Sequence, residues 1–212
     1  MLYIFDGTGA PDGGFAERWA PYLSDQRREK ISAYRFAEDR DRAAAAYLLL
    51  RLALWERYGV DAPPGFAYGG NGKPVLRDPP HIRFNLSHCR LAAACAVSDA
   101  EVGVDAQEVR PVSDALARRV LTAAEYAEFR ASPRPDERFC ELWTVKECLL
   151  KRTGQGIGVD LSAFPAADAG DVTLYSFPGY RCCVSGASVP LRRAGEKDFF
   201  TLPPPGARNG DP

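Results

Sequence analysis

The sequence predicts an α+β protein of two similar α/β subdomains, residues 1–105 and 106–202, with a cleft between them and a disordered tail over residues 203–212. Two observations carry that expectation. Segments with helical spacing are followed by short strand-like runs, and this order occurs twice along the chain. With 46% hydrophobic and 26% charged residues in a chain of 212, the composition is that of a globular protein, and the length suffices for one large core or two smaller ones.

The first half opens on an apolar run, Leu2 to Phe5, that reads as a strand; a Gly/Pro/Asp loop and a helical region around Trp19 to Leu23 follow. Ser24 is a candidate N-cap for a basic helix over DQRREKISAYRF, residues 25–36. The longest helix is expected from about Glu38 to Tyr58. Ala43, Ala46, Tyr47, Leu50, Leu54 and Tyr58 keep helical spacing there, and Gly59 stops it. Residues 61–80 are rich in Gly, Pro, Asn and Asp and read as loop with short extended pieces; Pro74 biases Lys73 toward an extended backbone. Three strands follow: Ile82 to Leu86, ending in a Ser87-His88 corner; Leu91 to Val97; and Glu101 to Asp105, with Asp105 at its C-terminal end.

The second half begins with helices at Asp114 to Leu121, Thr122 to Arg130 and Asp136 to Lys151, the second with Thr122 and Glu125 in capping-box positions. Strand-like runs then occur at Val172 to Phe177, Tyr180 to Ser185, Val189 to Arg193 and Asp198 to Leu202.

Composition removes several classes of function. A net charge of −1 supplies no global basic field, so nucleic acid is not an expected partner. No apolar run is long enough to span a bilayer, and the opening MLYIFDGTGAPDGG is not a signal peptide, so the cytoplasm is the expected compartment and no membrane is involved. Cys89, Cys95, Cys140, Cys148, Cys182 and Cys183 show no C-x-x-C spacing and fall in apolar segments, which suits small buried side chains better than disulfides or zinc. His81 and His88 are the only histidines, so a multi-histidine metal site is ruled out.

The richest stretch is FCELWTVKECLLKRTGQGIG, residues 139–158. Trp143, Glu147 and Lys151 follow at intervals of four and line one helix face; Gly154, Gly156 and Gly158 then end the helix in a loop that a ligand can approach. An isolated Glu–Lys pair is ordinary on exposed helices and adds a few tenths of a kcal/mol. A hard cation needs a second oxygen ligand, and Asp105 is the candidate, with Gln107 two residues on along the same strand face. His88 suits a base, a phosphate-binding donor or a packed histidine. Cys89 beside it raises a thiol nucleophile, but neighbours on an extended chain point to opposite faces. Lys30, Arg42, Lys73 and Lys151 are spread cations that together suit a ligand with several phosphates. From residues alone this amounts to a candidate magnesium–polyphosphate site.

In order and spacing, Gly72-Lys73-Pro74, Phe84-Asn85-Leu86-Ser87-His88, Gly103-Val104-Asp105 and Trp143-Thr144-Val145-Lys146-Glu147 with Lys151 and Gly154 resemble the 4'-phosphopantetheinyl transferases of the Sfp type, from about Leu23 to Ser185. The resemblance implies a pseudo-twofold fold with the active site in the cleft between two α/β halves, and transfer of the phosphopantetheine arm of coenzyme A to a serine of an apo acyl or peptidyl carrier protein, releasing 3',5'-ADP. It implies Mg2+ at Asp105 and Glu147, with Gln107 standing where many relatives carry an acid. It further implies Lys151 at the diphosphate, and Arg42 with a basic residue such as Lys30 at the 3'-phosphate. Lys73, Pro74, Ser87 and His88 would complete the coenzyme A site. Glu147 is the first candidate base and Glu125 the second, with Lys151 and His88 also in catalytic roles. Arg118 and Arg119 would help dock an acidic carrier of polyketide, nonribosomal-peptide or fatty-acid synthesis, and a monomer would suffice. Gln107 also leaves open a catalytically impaired protein that still binds coenzyme A.

Overall fold

The computed structural model describes residues 1–7, 14–69, 72–156, 158–186 and 189–203. The chain forms β1 (Leu2–Phe5), α1 (Phe15–Arg18), α2 (Asp25–Ser32), α3 (Ala37–Tyr58), β2 (Phe66–Tyr68), β3 (Pro74–Leu76), β4 (Arg83–His88), β5 (Ala93–Ser98) and β6 (Gly103–Glu108). Then come α4 (Asp114–Val120), α5 (Ala123–Ala131), α6 (Pro135–Thr153), β7 (Val172–Phe177), β8 (Tyr180–Ser185), β9 (Leu191–Arg193) and α7 (Glu196–Phe199).

Two sheets form the centre, with strand orders β4-β5-β1-β9 and β6-β8-β7; β2 and β3 make a separate ribbon. One core cluster packs Tyr3, Phe84, Cys95 and Val97 of the first sheet under α3. Another packs Leu2, Ile4, Ala94 and Ala96 against Val104, Ala106, Cys182 and Val184, so the two sheets face each other. A third packs Cys183 with Phe139, Leu142, Val145 and Cys148 of α6. The layers therefore run α3, first sheet, second sheet, α6. This is a mixed α+β fold.

α3 is buried on every side from Ala43 to Leu54, as expected of a helix apolar all round. Ser24 caps α2 through Arg27 N–H, and Thr122 with Glu125 forms the expected capping box on α5. α6 starts at Pro135 and ends at Gly154, whose φ of 71° is the left-handed stop that glycine favours. Where α6 crosses β6, a Cβ on Gly103 would lie 2.2 Å from the Cys148 carbonyl oxygen, so only glycine permits this approach.

Four expectations differ from the structure. Asp105 does not end its strand: β6 continues to Glu108 and places Asp105 in its interior. The run Asp198 to Leu202 is not a strand: Asp198 lies in α7, where Gly195 N–H donates to its carboxylate at 2.6 Å, and Phe199 buries its ring against Phe5, Phe15 and Trp19. The basic helix stops at Ser32, because Phe36 is extended and begins α3. Ser87 and His88 remain inside β4, and the turn follows at Cys89, whose N–H bonds the Ala92 carbonyl at 2.8 Å. β9 pairs in parallel with β1 and so joins the first sheet, although it follows the second in sequence. Of the tail, Pro203 accepts a 2.8 Å hydrogen bond from the buried Arg51; residues 204–212 lie outside the described residues.

Candidate active site

The alternation of β4 divides its residues between two faces. Phe84 and Leu86 join the core under α3, while Asn85 and Ser87 turn to β6. Ser87 Oγ and Lys151 Nζ both meet Asp105 Oδ1, at 2.9 and 2.5 Å, and Lys151 Nζ also lies 2.9 Å from Ser87 Oγ. Asp105 is 4% exposed, and its other oxygen, Oδ2, is buried with no hydrogen-bond partner. A buried carboxylate oxygen left bare is costly unless a ligand completes it.

Glu147 lies one helical turn before Lys151. Burial pushes its carboxyl pKa up and the charge of Asp105 adds to that, while Lys151 acts in opposition. A buried carboxylate raised by a second one, beside a bare oxygen, fits a hard divalent cation. Such an ion takes few protein carboxylates and fills its shell with water and phosphate oxygens. Among the described residues no group of three or more His, Cys, Asp or Glu side chains gathers for a metal, so this pair is all that protein carboxylates would provide. Gln107 shares Asp105's face of β6; its backbone carbonyl accepts from Cys140 Sγ at 3.4 Å.

A second cluster surrounds His88. Burial lowers its pKa, and the nearby Arg42, Lys151 and Arg27 lower it further, with Asp39 acting in the opposite direction. The imidazole is therefore neutral at neutral pH, amid cations. Arg42 is paired with Asp39 one turn earlier on α3. Arg27, absent from the sequence-predicted site, has a buried Nε without a partner, and its guanidinium stacks over Tyr47 at 5.3 Å. The signal for it was present, since Arg27 and Lys30 are three apart on a capped helix. Lys30 lies farther out, over the exposed Tyr68 ring at 5.7 Å.

Lys73 is placed elsewhere. Its ammonium bonds the Arg152 carbonyl at 2.7 Å and Glu101 at 2.9 Å, clamping the C-terminal end of α6, while Pro74 opens β3 beside it. Glu125 is also apart from the Asp105 cluster. Its oxygens accept from Lys146 at 2.6 Å, Thr122 N–H at 2.9 Å and Ala166 N–H at 2.6 Å, so the second candidate base is fully engaged. Burial pushes the Cys89 thiol up, which disfavours a thiolate nucleophile. Beside Glu147 opens a cavity of about 530 Å³ lined by Leu116, Val120, Trp143 and Leu150, with Arg119 at its edge.

Sequence comparison decides the family. A family model described as the 4'-phosphopantetheinyl transferase superfamily matches residues 101–186, which hold β6, α6 and the Asp105–Glu147–Lys151 group. The chain is 37% identical over 163 residues to the 4'-phosphopantetheinyl transferase psf-1 of Bacillus pumilus, covering 74% of this chain and 70% of the relative. It is 30% identical over 177 residues to a 4'-phosphopantetheinyl transferase of Bacillus subtilis, covering 80% and 78%. With the 4'-phosphopantetheinyl transferase Sfp of Bacillus subtilis strain 168 it shares 29% identity over 151 residues, covering 70% and 67%. The chain belongs to the 4'-phosphopantetheinyl transferase superfamily. As a phosphopantetheinyl transferase of the Sfp type it is a member of an enzyme family, and Asp105, Gln107, Glu147 and Lys151 lie within the stretch that the family model matches. Among the described residues no helix is long and apolar enough to cross a membrane.

Proposed function

We propose that this chain moves the 4'-phosphopantetheine arm of coenzyme A onto a serine of an apo acyl or peptidyl carrier protein and releases 3',5'-ADP. The observation that carries the reading is the bare, buried Asp105 Oδ2 next to Glu147 and Lys151, in a chain of this family. In the reaction the serine oxygen bonds to the phosphorus bearing pantetheine. The bond from that phosphorus to the bridging oxygen breaks, and the serine proton passes to a base. Asp105 and Glu147 would hold Mg2+, with Gln107 completing the shell directly or through water; the ion supplies neutralisation of the diphosphate charge. Lys151 adds a fixed positive charge for the phosphate oxygens. Glu147, raised by burial and by Asp105, is suited to take the serine proton itself or through water. Arg27, Arg42 and His88 form a seat for the 3'-phosphate, with Lys30 at its outer edge and Lys73-Pro74 bordering the glycine loop after α6.

The apolar cavity with Arg119 at its edge suits the helical, acidic surface of a carrier protein. The site draws Ser87 from the first sheet and Asp105 from the second, which supports two related halves meeting at a catalytic cleft. The test is the intact mass of an apo carrier protein after incubation with the enzyme, coenzyme A and magnesium. The expected result is a gain of one phosphopantetheine arm, lost with EDTA and with Glu147→Ala. No gain across several carriers, with coenzyme A still bound, would replace this reading by that of an impaired coenzyme A-binding protein.

A further inference from the structure

β6 has β8 on one edge, and its other edge meets β4 through side chains rather than through backbone pairing. Val104 N–H donates to Asn85 Oδ1 at 2.9 Å, and Ala106 N–H donates to Ser87 Oγ at 3.1 Å. Both donors belong to buried residues, so without those acceptors two backbone N–H groups would be stranded away from water. Acceptors two residues apart on one strand match donors two residues apart on the other. Slippage by one residue would present Leu86 where an acceptor is needed, so the match fixes register. Asp105 lies between the two matched N–H groups.

Ser87 does more than accept. A hydroxyl offers one donor and two acceptor positions. Here the donor goes to Asp105 Oδ1, and the acceptor positions take Ala106 N–H and the Lys151 ammonium, at 2.9, 3.1 and 2.9 Å. Ser87 is 6% exposed, so its hydroxyl is held among these three partners. Pinning Oδ1 leaves Oδ2 as the oxygen with nothing attached.

We propose that Asn85 and Ser87 are positioning residues for Asp105: together they set the register of β4 against β6, and Ser87 selects which carboxylate oxygen is presented to a divalent cation. The inference rests on the assignment of Asp105 to that cation. It accounts for a serine and an asparagine two apart without a ligand for either, and it gives the first sheet a part in shaping a site whose acids lie on the second.

The experiment uses Mn2+ as a paramagnetic probe of the whole protein without coenzyme A, read by the loss of free-ion signal, alongside steady-state kinetics and melting curves. Ser87→Ala is expected to weaken Mn2+ binding about tenfold, the usual cost of removing an outer-shell partner of a metal ligand. It should raise the magnesium needed for half-maximal rate by a similar factor, and leave the Michaelis constant for coenzyme A within about twofold at saturating magnesium. Ser87→Thr, which keeps the hydroxyl, should recover the affinity, and Asn85→Asp, which keeps the acceptor, should exceed Asn85→Ala. Unchanged Mn2+ affinity in Ser87→Ala with a raised Michaelis constant for coenzyme A would overturn the proposal. So would an Asn85→Ala protein that melts lower yet binds Mn2+ as before. If the unaltered protein transfers no phosphopantetheine but Ser87→Ala still loses Mn2+, the positioning role stands and the proposed reaction falls.

Discussion

α6 carries two lysines five residues apart, Lys146 and Lys151, each bonded to a buried carboxylate, and the two pairs differ in how completely they are satisfied. Lys146 is 0% exposed and donates to Glu125, the Val120 carbonyl and the Leu161 carbonyl, at 2.6, 3.0 and 2.8 Å. Glu125 in turn accepts from two backbone N–H groups. Every donor and acceptor is used, and nothing is left for a ligand. In the other pair the Lys151 side chain keeps 31% of its surface exposed and Asp105 keeps a bare oxygen. The chemistry is the same, and the second pair leaves its bonding unfinished.

The largest effect is expected from breaking the closed pair. Lys146→Met strands a buried carboxylate and should cost about 3–5 kcal/mol, whereas Glu125→Leu with Lys146→Met removes both charges and should recover most of that. Denaturant midpoints of the two variants check it; equal loss in both would mean that Lys146 acts through packing alone.

The open pair should show the reverse profile. Asp105→Asn is expected to reduce transfer about 10²- to 10³-fold while shifting stability by about 1 kcal/mol or less, since its partner is partly solvated. Parallel rate and melting measurements separate the two, and a collapse of the melting transition would contradict the distinction.

The smallest effect distinguishes the pairs by the sign of their pH dependence. For Glu125, burial pushes the carboxyl up, but hydrogen bonds from Lys146 and from the Ala166 and Thr122 N–H groups outweigh it, so its pKa lies below the ordinary value. Its contribution to stability is present above about pH 4.3 and is lost as the pH falls through the lowered value. Glu147 is raised by burial and by Asp105, so its contribution declines as the pH rises from about 4.3 toward its raised value. Glu147→Gln should therefore melt about 2 °C higher at pH 7 and lose that advantage near pH 4. Melting scans across that range suffice, and a pH-independent difference would remove the assignment.

The sequence exposed some of this directly. α3 was visible because Ala43 through Leu54 repeat at helical spacing and Gly59 ends them, and the Thr122–Glu125 cap because both partners are local. The motif order brought Asp105, Glu147 and Lys151 forward as a group. Contacts between distant segments were not visible. Glu125 looked available as a base because its counter-ion lies on another helix. The hold of Lys73 on the end of α6 was hidden because nothing local reveals it. Asn85 drew no assignment, since period-two alternation says which face it shares with Ser87 and not that β6 N–H groups wait there. Asp198 to Leu202 holds Phe199, Phe200 and Thr201, residue types common in strands, and nothing local reveals that Phe199 packs among Phe5, Phe15 and Trp19 at the end of α7.

The return of β9 and α7 to the first sheet has a consequence for the order of events during synthesis. β1 receives its second neighbour from Leu191–Arg193, and Phe5, Phe15 and Trp19 complete their cluster only around Phe199. A nascent chain that has emerged as far as β8 holds an open strand edge and an unfilled aromatic core in its earliest segment. The two sheets are not completed one after the other like beads leaving the ribosome; the first waits for the last segment to close it.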